Sequence, residues 1–275
     1  MIRLAANLSM LFQEHDFLDR FDAASETGFR GVEYLFPYAY APEVLASALR
    51  EAKLEQVLFN LSPGDWEEGE RGLASLPGRE AEFRDSVHEA LRYANTLNCP
   101  RIHAMAGLIP EEADEETLAA HQETYLGNLR FAAKEAAKAG RELLIEPINH
   151  RDMPPYFLSS QDQAMAVIKA VGADNLRLQF DVYHCQIMEG DLIRHLERQF
   201  HLIGHVQIAG VPDRQEPDTG EVHYPNVMAR LEALGYQGWV GCEYRPAGDT
   251  RDGLAWGKPH GLSPEQSAAS NRYID

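Results

Sequence analysis

Apolar residues return along this chain in short, mostly β-rich bursts: 3–8 (RLAANL), 31–36 (GVEYLF), 54–61 (LEQVLFNL), 101–107 (RIHAMAG), 142–148 (ELLIEPI), 176–182 (LRLQFDV), 204–210 (GHVQIAG) and 238–244 (GWVGCEY). Their lengths and polar borders predict strands. The longer segments between them carry helical spacing, as with Leu126, Leu129, Ala133 and Ala137 within 126–139. Strict alternation of strand and helix calls for parallel pairing, because a parallel crossover needs a dozen or more residues. Eight such units predict the α/β class and a closed (β/α)8 TIM barrel. Gly28, Gly140, Gly172 and Gly235 each stand after a helical stretch and before a strand, where a left-handed helix terminus is expected. The competing architecture, an open doubly wound sheet, would carry a glycine-rich turn after its first strand, and NLSMLFQEHD has no glycine.

No linker or change of composition divides the chain, so residues 1–256 are expected to form one barrel domain, followed by a polar tail at 257–275. The segment 61–79 is long and punctuated by Gly and Pro. Its length predicts an active-site loop or lid. The chain has 275 residues with 25 Lys+Arg against 43 Asp+Glu, a formal charge of −18 that would repel a polyphosphate backbone or an anionic bilayer. Neither nucleic acid nor membrane is an expected partner. Three cysteines without a C-x-x-C pair suggest neither a disulfide framework nor a thiolate zinc site, and with no apolar run of membrane length a cytoplasmic setting is expected. Nothing in the pattern decides for or against a homo-oligomer.

Active-site residues of such a barrel belong at the C-terminal ends of the strands. Glu146, Asp181, Gln207 and Glu243 stand near the ends of four consecutive strands, spaced 35, 26 and 36 residues apart, about one βα unit each. A carboxylate inside an apolar strand is costly to desolvate, and three at one barrel mouth repel one another. A divalent cation relieves both costs. Three carboxylates and an amide form an all-oxygen set suited to Mg²⁺ or Mn²⁺. Glu146 and Glu243 could face each other across the ring, and two carboxylates about a bound substrate suit proton transfer between adjacent carbons by an isomerase or epimerase. Glycoside hydrolysis would also use two carboxylates, but it leaves Asp181 and Gln207 unexplained.

His184, three residues after Asp181, is a candidate donor to the substrate. Arg71 and Arg214 are candidate clamps for a substrate carboxylate. Asn60, His103 and His150 also lie at strand ends and are expected at most to line the site. His201 and His205 have i, i+4 spacing, but Gly204 opens a strand between them, against a helical metal pair. The loop VPDRQEPDTGEVHY carries four acids to one arginine, which favours a carboxylate-bearing, unphosphorylated small molecule over a sugar phosphate. Nucleotide-binding, acyl-enzyme and H-E-x-x-H motifs are absent.

At AANLSMLF (5–12), FRGVEYLFPY (29–38), GDWEEGERGLASLPGRE (64–80), LLIEPINH (143–150), QFDVYHCQIMEGDL (179–192), GHVQIAGVPDRQEPDTGEVHYP (204–225) and GWVGCEYRP (238–246) the sequence resembles the hydroxypyruvate isomerase family, within the xylose-isomerase-like TIM barrels. The resemblance implies interconversion of hydroxypyruvate and tartronate semialdehyde through an enediolate. It implies Glu146 and Glu243 as acid/base pair and Glu146, Asp181, Gln207 and Glu243 as metal site. The stretch LIEPINH looks like the hydroxypyruvate group, and AGVPDR looks like the related 2-oxo-tetronate isomerases, which act on a substrate one carbon longer. Gln207 departs from the histidine of ketose 3-epimerase relatives, which speaks against zinc and epimerisation. A sugar-acid-binding barrel without turnover is the non-enzymatic alternative. An abasic-site endonuclease would want a basic face and a histidine-rich zinc cluster, and the chain offers neither.

Overall fold

The computed structural model describes residues 2–263. Eight parallel strands close in chain order into a barrel: β1 (Arg3–Asn7), β2 (Gly31–Glu33), β3 (Glu55–Asn60), β4 (Arg101–His103), β5 (Glu142–Ile145), β6 (Leu176–Asp181), β7 (Ile203–Ile208) and β8 (Trp239–Cys242). Around it run α1 (Arg20–Glu26), α2 (Pro42–Ala52), α3 (Glu80–Thr96), α4 (Glu115–Lys138), α5 (Gln161–Val171), α6 (Val182–Met188), α7 (Leu192–Gln199) and α8 (Tyr224–Ala233). The strands are shorter than the apolar bursts suggest. After β4, for example, the chain leaves the barrel so that Met105 O and Ala106 O can accept Ala74 N (3.3 Å) and Ser75 N (2.8 Å) from the 61–79 segment.

Helix ends follow local chemistry. Asp114 caps α4 by accepting Thr117 N at 2.8 Å, and Ser160 caps α5 by accepting Gln163 N at 3.2 Å. Each such cap satisfies an N–H left over in the first turn. All four glycines expected at helix ends have positive φ, and Gly172 is the left-handed terminus of α5. The α4 face bearing Tyr125, Leu129, Ala132, Ala133 and Ala136 is buried at helical spacing, so the principal core lies between helices and sheet.

Inside the barrel, side chains alternate along each strand. At the N-terminal end, Ala5, Val57, Leu58, Leu144 and Trp239 form an apolar plug, and Arg3 stacks on Trp239 at 4.6 Å. One step toward the C-terminal end the interior turns polar: Asn7, Glu33, His103, Gln179, Asp181, His205 and Gln207 are all buried. The plug closes one end, so chemistry is confined to the other.

Residues 252–260 form a 3₁₀ helix against the barrel, Leu262 joins the core, and Ser263 N donates to Thr27 O at 2.8 Å. The first part of the expected tail thus packs on the domain. Its remainder, 264–275, lies outside the described residues.

Candidate active site

Asp181 ends β6 and begins α6 in one residue. Its Oδ1 accepts Tyr183 N (2.7 Å) and His184 N (3.3 Å), which caps the helix and leaves Oδ2 without a partner. Glu146 follows β5 directly, and its Oε1 is likewise buried and unpartnered. Glu243 follows β8; its Oε1 accepts Asn7 Nδ2 at 3.0 Å and its Oε2 accepts Arg214 Nη2 at 2.7 Å. Potential ligand atoms of Glu146, Asp181, His184 and Glu243 lie within 4.8 Å of one another, all on buried residues.

Three carboxylates share this volume with one guanidinium. Burial raises all three affinities for protons: Asp181 is pushed up to about 6, Glu243 to about 8, and Glu146 well above the carboxylate range. Glu243 and Asp181 add to the burial effect on Glu146 by repulsion, while Arg214 opposes it at all three. One arginine does not neutralise the group. The orphaned Oε1 of Glu146 and Oδ2 of Asp181, with the excess negative charge, fit a divalent cation.

His184 meets a donor at each ring nitrogen. The Asn149 amide oxygen accepts Asp152 N at 2.8 Å, which turns Asn149 Nδ2 toward His184 Nδ1 at 2.6 Å. Nδ1 therefore accepts from the amide, while Arg214 Nη2, also only a donor, stands 3.5 Å from Nε2. Nε2 also stands 3.9 Å from Glu146 Oε1 and 3.7 Å from Asp181 Oδ2. Burial, then the Arg214 charge, keep the ring neutral well below the usual histidine range. A proton on Nε2 makes His184 a donor to the site and leaves the hard donor set to oxygen.

Arg214 enters from the loop after β7 on a backbone with φ +57°. This strained conformation is held by Arg214 N to Gly210 O (2.8 Å) and by Arg245 N to Arg214 O (2.7 Å). Its Nη1 donates to Asp152 Oδ2 at 3.1 Å, the guanidinium lies 5.0 Å over the Tyr183 ring, and Nε has no partner. Arg71 is held differently. It stacks on Trp66 at 3.8 Å and donates to Trp66 O and Glu70 O, within the 61–79 segment and without a hydrogen bond to the carboxylates.

Gln207 is the register neighbour of Asp181, but its hydrogen bonds point elsewhere in the barrel: Nε2 donates to Glu33 Oε1 at 2.8 Å, and Oε1 accepts Gln179 Nε2 at 2.6 Å. Of the lining candidates, His103 is buried with Nδ1 3.7 Å from Glu146 Oε2. His150 meets Tyr156 O, and buried Asn60 accepts Tyr38 OH through its backbone. Strand and 3₁₀ helix separate buried His205 from exposed His201. Sequence reasoning passes over Asn7, Glu33, Asn149, Asp152 and Gln179. The signal for Glu33 is present in GVE, a carboxylate at the end of an apolar strand like Glu146.

The family model of xylose isomerase-like TIM barrels matches residues 21–260. The chain belongs to the xylose isomerase-like TIM-barrel family. Among curated relatives of this barrel, the 2-oxo-tetronate isomerase of Cupriavidus necator is 57% identical over 94% of this chain and 99% of its own. The hydroxypyruvate isomerase of Escherichia coli is 48% identical over 94% and 100%. A solved Brucella melitensis structure, named as an AP endonuclease of family 2, superposes with a TM-score of 0.92 at 51% identity, covering 94% of this chain and 99% of that one. This xylose isomerase-like barrel is an isomerase, and the cluster at its mouth has the make-up of a divalent-metal site. Among the described residues no helix is long and apolar enough to cross a membrane.

Proposed function

We propose that the protein interconverts a short 2-oxo-3-hydroxy acid and its 2-hydroxy-3-oxo isomer. The observation that carries this reading is the convergence of buried Glu146, Asp181 and Glu243 with a ring nitrogen of His184 inside one 4.8 Å group. Glu146, Asp181 and Glu243 would hold Mg²⁺ or Mn²⁺, with Gln207 as a fourth oxygen donor through the Oε1 lone pair that Gln179 does not use. When bound, such an ion polarises a carbonyl and stabilises negative charge on neighbouring oxygens.

The chain's own groups supply the rest. One of Glu146 and Glu243 takes the proton from C3, giving an enediolate, and the other delivers a proton to C2. The hydroxyl hydrogen passes from the C3 oxygen to the C2 oxygen, so the product is an isomer with no atom gained or lost. His184 Nε2–H donates to a substrate oxygen. Arg214 supplies the counter-charge for the substrate carboxylate, with Arg71 as a second candidate from the 61–79 segment. The burial of the carboxylates excludes bulk water from the proton being moved.

Hydroxypyruvate, giving tartronate semialdehyde, is the substrate that LIEPINH favours. The higher identity to the C. necator 2-oxo-tetronate isomerase favours the four-carbon acid. The chain's charge of −18 weighs against a nucleic-acid substrate. Proton NMR of each acid with the protein and Mg²⁺ or Mn²⁺ tests the proposal and ranks the two by kcat/KM. Binding without conversion of either would favour a non-catalytic barrel instead.

A further inference from the structure

Glu33 is 1% exposed, on the inner face of β2. Its Oε1 accepts Asn7 Nδ2 (3.1 Å) and Gln207 Nε2 (2.8 Å), and its Oε2 meets His205 Nε2 at 2.7 Å. Asn7 and Gln207 can only donate, so Oε1 accepts two amide N–H groups while Oε2 faces the imidazole. Room for it is left in the sequence. Gly241, the register partner of Gln207, faces Glu33 so closely that a Cβ there would collide with both carboxylate oxygens.

The bonds lead outward to the candidate site on both sides. Asn7 Oδ1 accepts Ser9 N at 3.1 Å, which turns its amide nitrogen inward, where it donates to both Glu33 and Glu243. Gln207 Nε2 is committed to Glu33, so its oxygen is turned away, toward Gln179, which also eases the charge on Glu146. A continuous belt thus runs Glu243, Asn7, Glu33, Gln207, Gln179, Glu146. Glu33 fixes which way Gln207 points and, together with Ser9 N, holds the Asn7 amide.

We infer that Glu33 is a positioning residue that orients Gln207 and, through Asn7, Glu243 for cation binding without touching cation or substrate itself. The inference rests on the oxygen-donor cation site of the proposed function. A purely structural role would require only that the carboxylate be satisfied; the belt instead spends its three bonds on groups that lead to Glu243 and Glu146. In Glu33→Gln the new amide can place N–H groups against the donors of Asn7 and Gln207, and the orientation is no longer dictated.

The test is a titration of the full-length protein with MnCl₂ alone, reading free Mn²⁺ by electron paramagnetic resonance, with melting temperature in chelator as the folding control. Glu33→Gln should fold and bind Mn²⁺ at least about 10-fold more weakly than the parent, the usual scale for removing a partner of a ligand. Gly241→Ala, which crowds the carboxylate without changing its charge, should weaken Mn²⁺ in the same direction. Affinity within twofold of the parent in either folded variant overturns the inference, as does failure of both to fold, which would assign Glu33 to the fold. A parent that binds no Mn²⁺ overturns the cation site together with this inference. A parent that binds Mn²⁺ but isomerises neither acid overturns only the reaction, and weakened Mn²⁺ binding in the variants would then still support Glu33 as positioning residue.

Discussion

Arg214 and Glu243 meet at 2.7 Å, Nη2 to Oε2, inside a group of buried acids that outnumber the arginine. Burial alone would weaken the guanidinium's charge, but Glu243, Asp181, Asp152 and Glu146 together keep it protonated. The same fork reaches Asp152 at 3.1 Å, so two nitrogens are fixed at once. Arg214→Lys keeps the charge and loses this two-point hold. It is expected to lower kcat/KM by about 100-fold, the loss of roughly 3 kcal/mol typical of a charged hydrogen bond. Steady-state kinetics on both acids would check it, and a value within threefold of the parent would remove Arg214 from the substrate's grip.

The raised proton affinities set the pH dependence of the metal-free protein. Glu243 moves from an ordinary 4.5 to about 8 and Asp181 from 3.8 to about 6, with Glu146 shifted the same way. Folded protein therefore holds protons that the unfolded chain releases. The stability that these three groups contribute is fully present below about pH 4 and is lost as the pH rises toward 8. Melting temperature in chelator should fall across this window, the gain on adding Mg²⁺ should grow with pH, and Glu243→Gln should flatten the fall. A chelated protein that grows more stable from pH 5 to 8 would contradict the charge assignment.

Asn149 Nδ2 at 2.6 Å makes His184 Nδ1 an acceptor, and the donor role proposed for Nε2 requires a neutral ring with its proton there. ¹⁵N-edited NMR of the imidazole should show this tautomer unchanged between pH 6 and 8. His184→Ala should lower kcat by about 10²-fold, the lower range for losing a positioned donor. Titration of the ring near pH 6.5 would contradict the donor role.

The 61–79 segment is held over the end of β4 by close backbone approach. Gly72 has φ +124°, and a Cβ there would run into the Met105 carbonyl, whereas Gly69 at φ +91° faces open space. Gly72→Ala should cost about 2 kcal/mol or more and Gly69→Ala about 1 kcal/mol, read from urea midpoints. Equal costs would show that the approach at Gly72 is readily relieved.

Much of this molecule can be read from its residues. Strand and helix alternate with periods that specify the barrel, and the acids Glu146, Asp181 and Glu243 stand out because apolar strands tolerate few charges. Period-2 alternation would also have singled out Asn7 and Glu33, whose side chains share the polar interior layer. The direction of an amide cannot be read this way. Gln207 looks like a ligand by position, but its hydrogen bonds to Glu33 and Gln179 depend on three strands at once. The arginines show the same limit: Arg71 and Arg214 look alike in their loops, yet one stacks on Trp66 and the other reaches Glu243. Only the folded loop distinguishes them.

The most direct test of the chemistry is the exchange of the substrate's carbon-bound proton with solvent. With the metal-loaded protein in D₂O, proton NMR should show deuterium entering hydroxypyruvate or 2-oxo-tetronate as the isomer forms, and Glu146→Gln and Glu243→Gln should each abolish both signals. Exchange and isomerisation that persist in both variants would contradict the two-glutamate account.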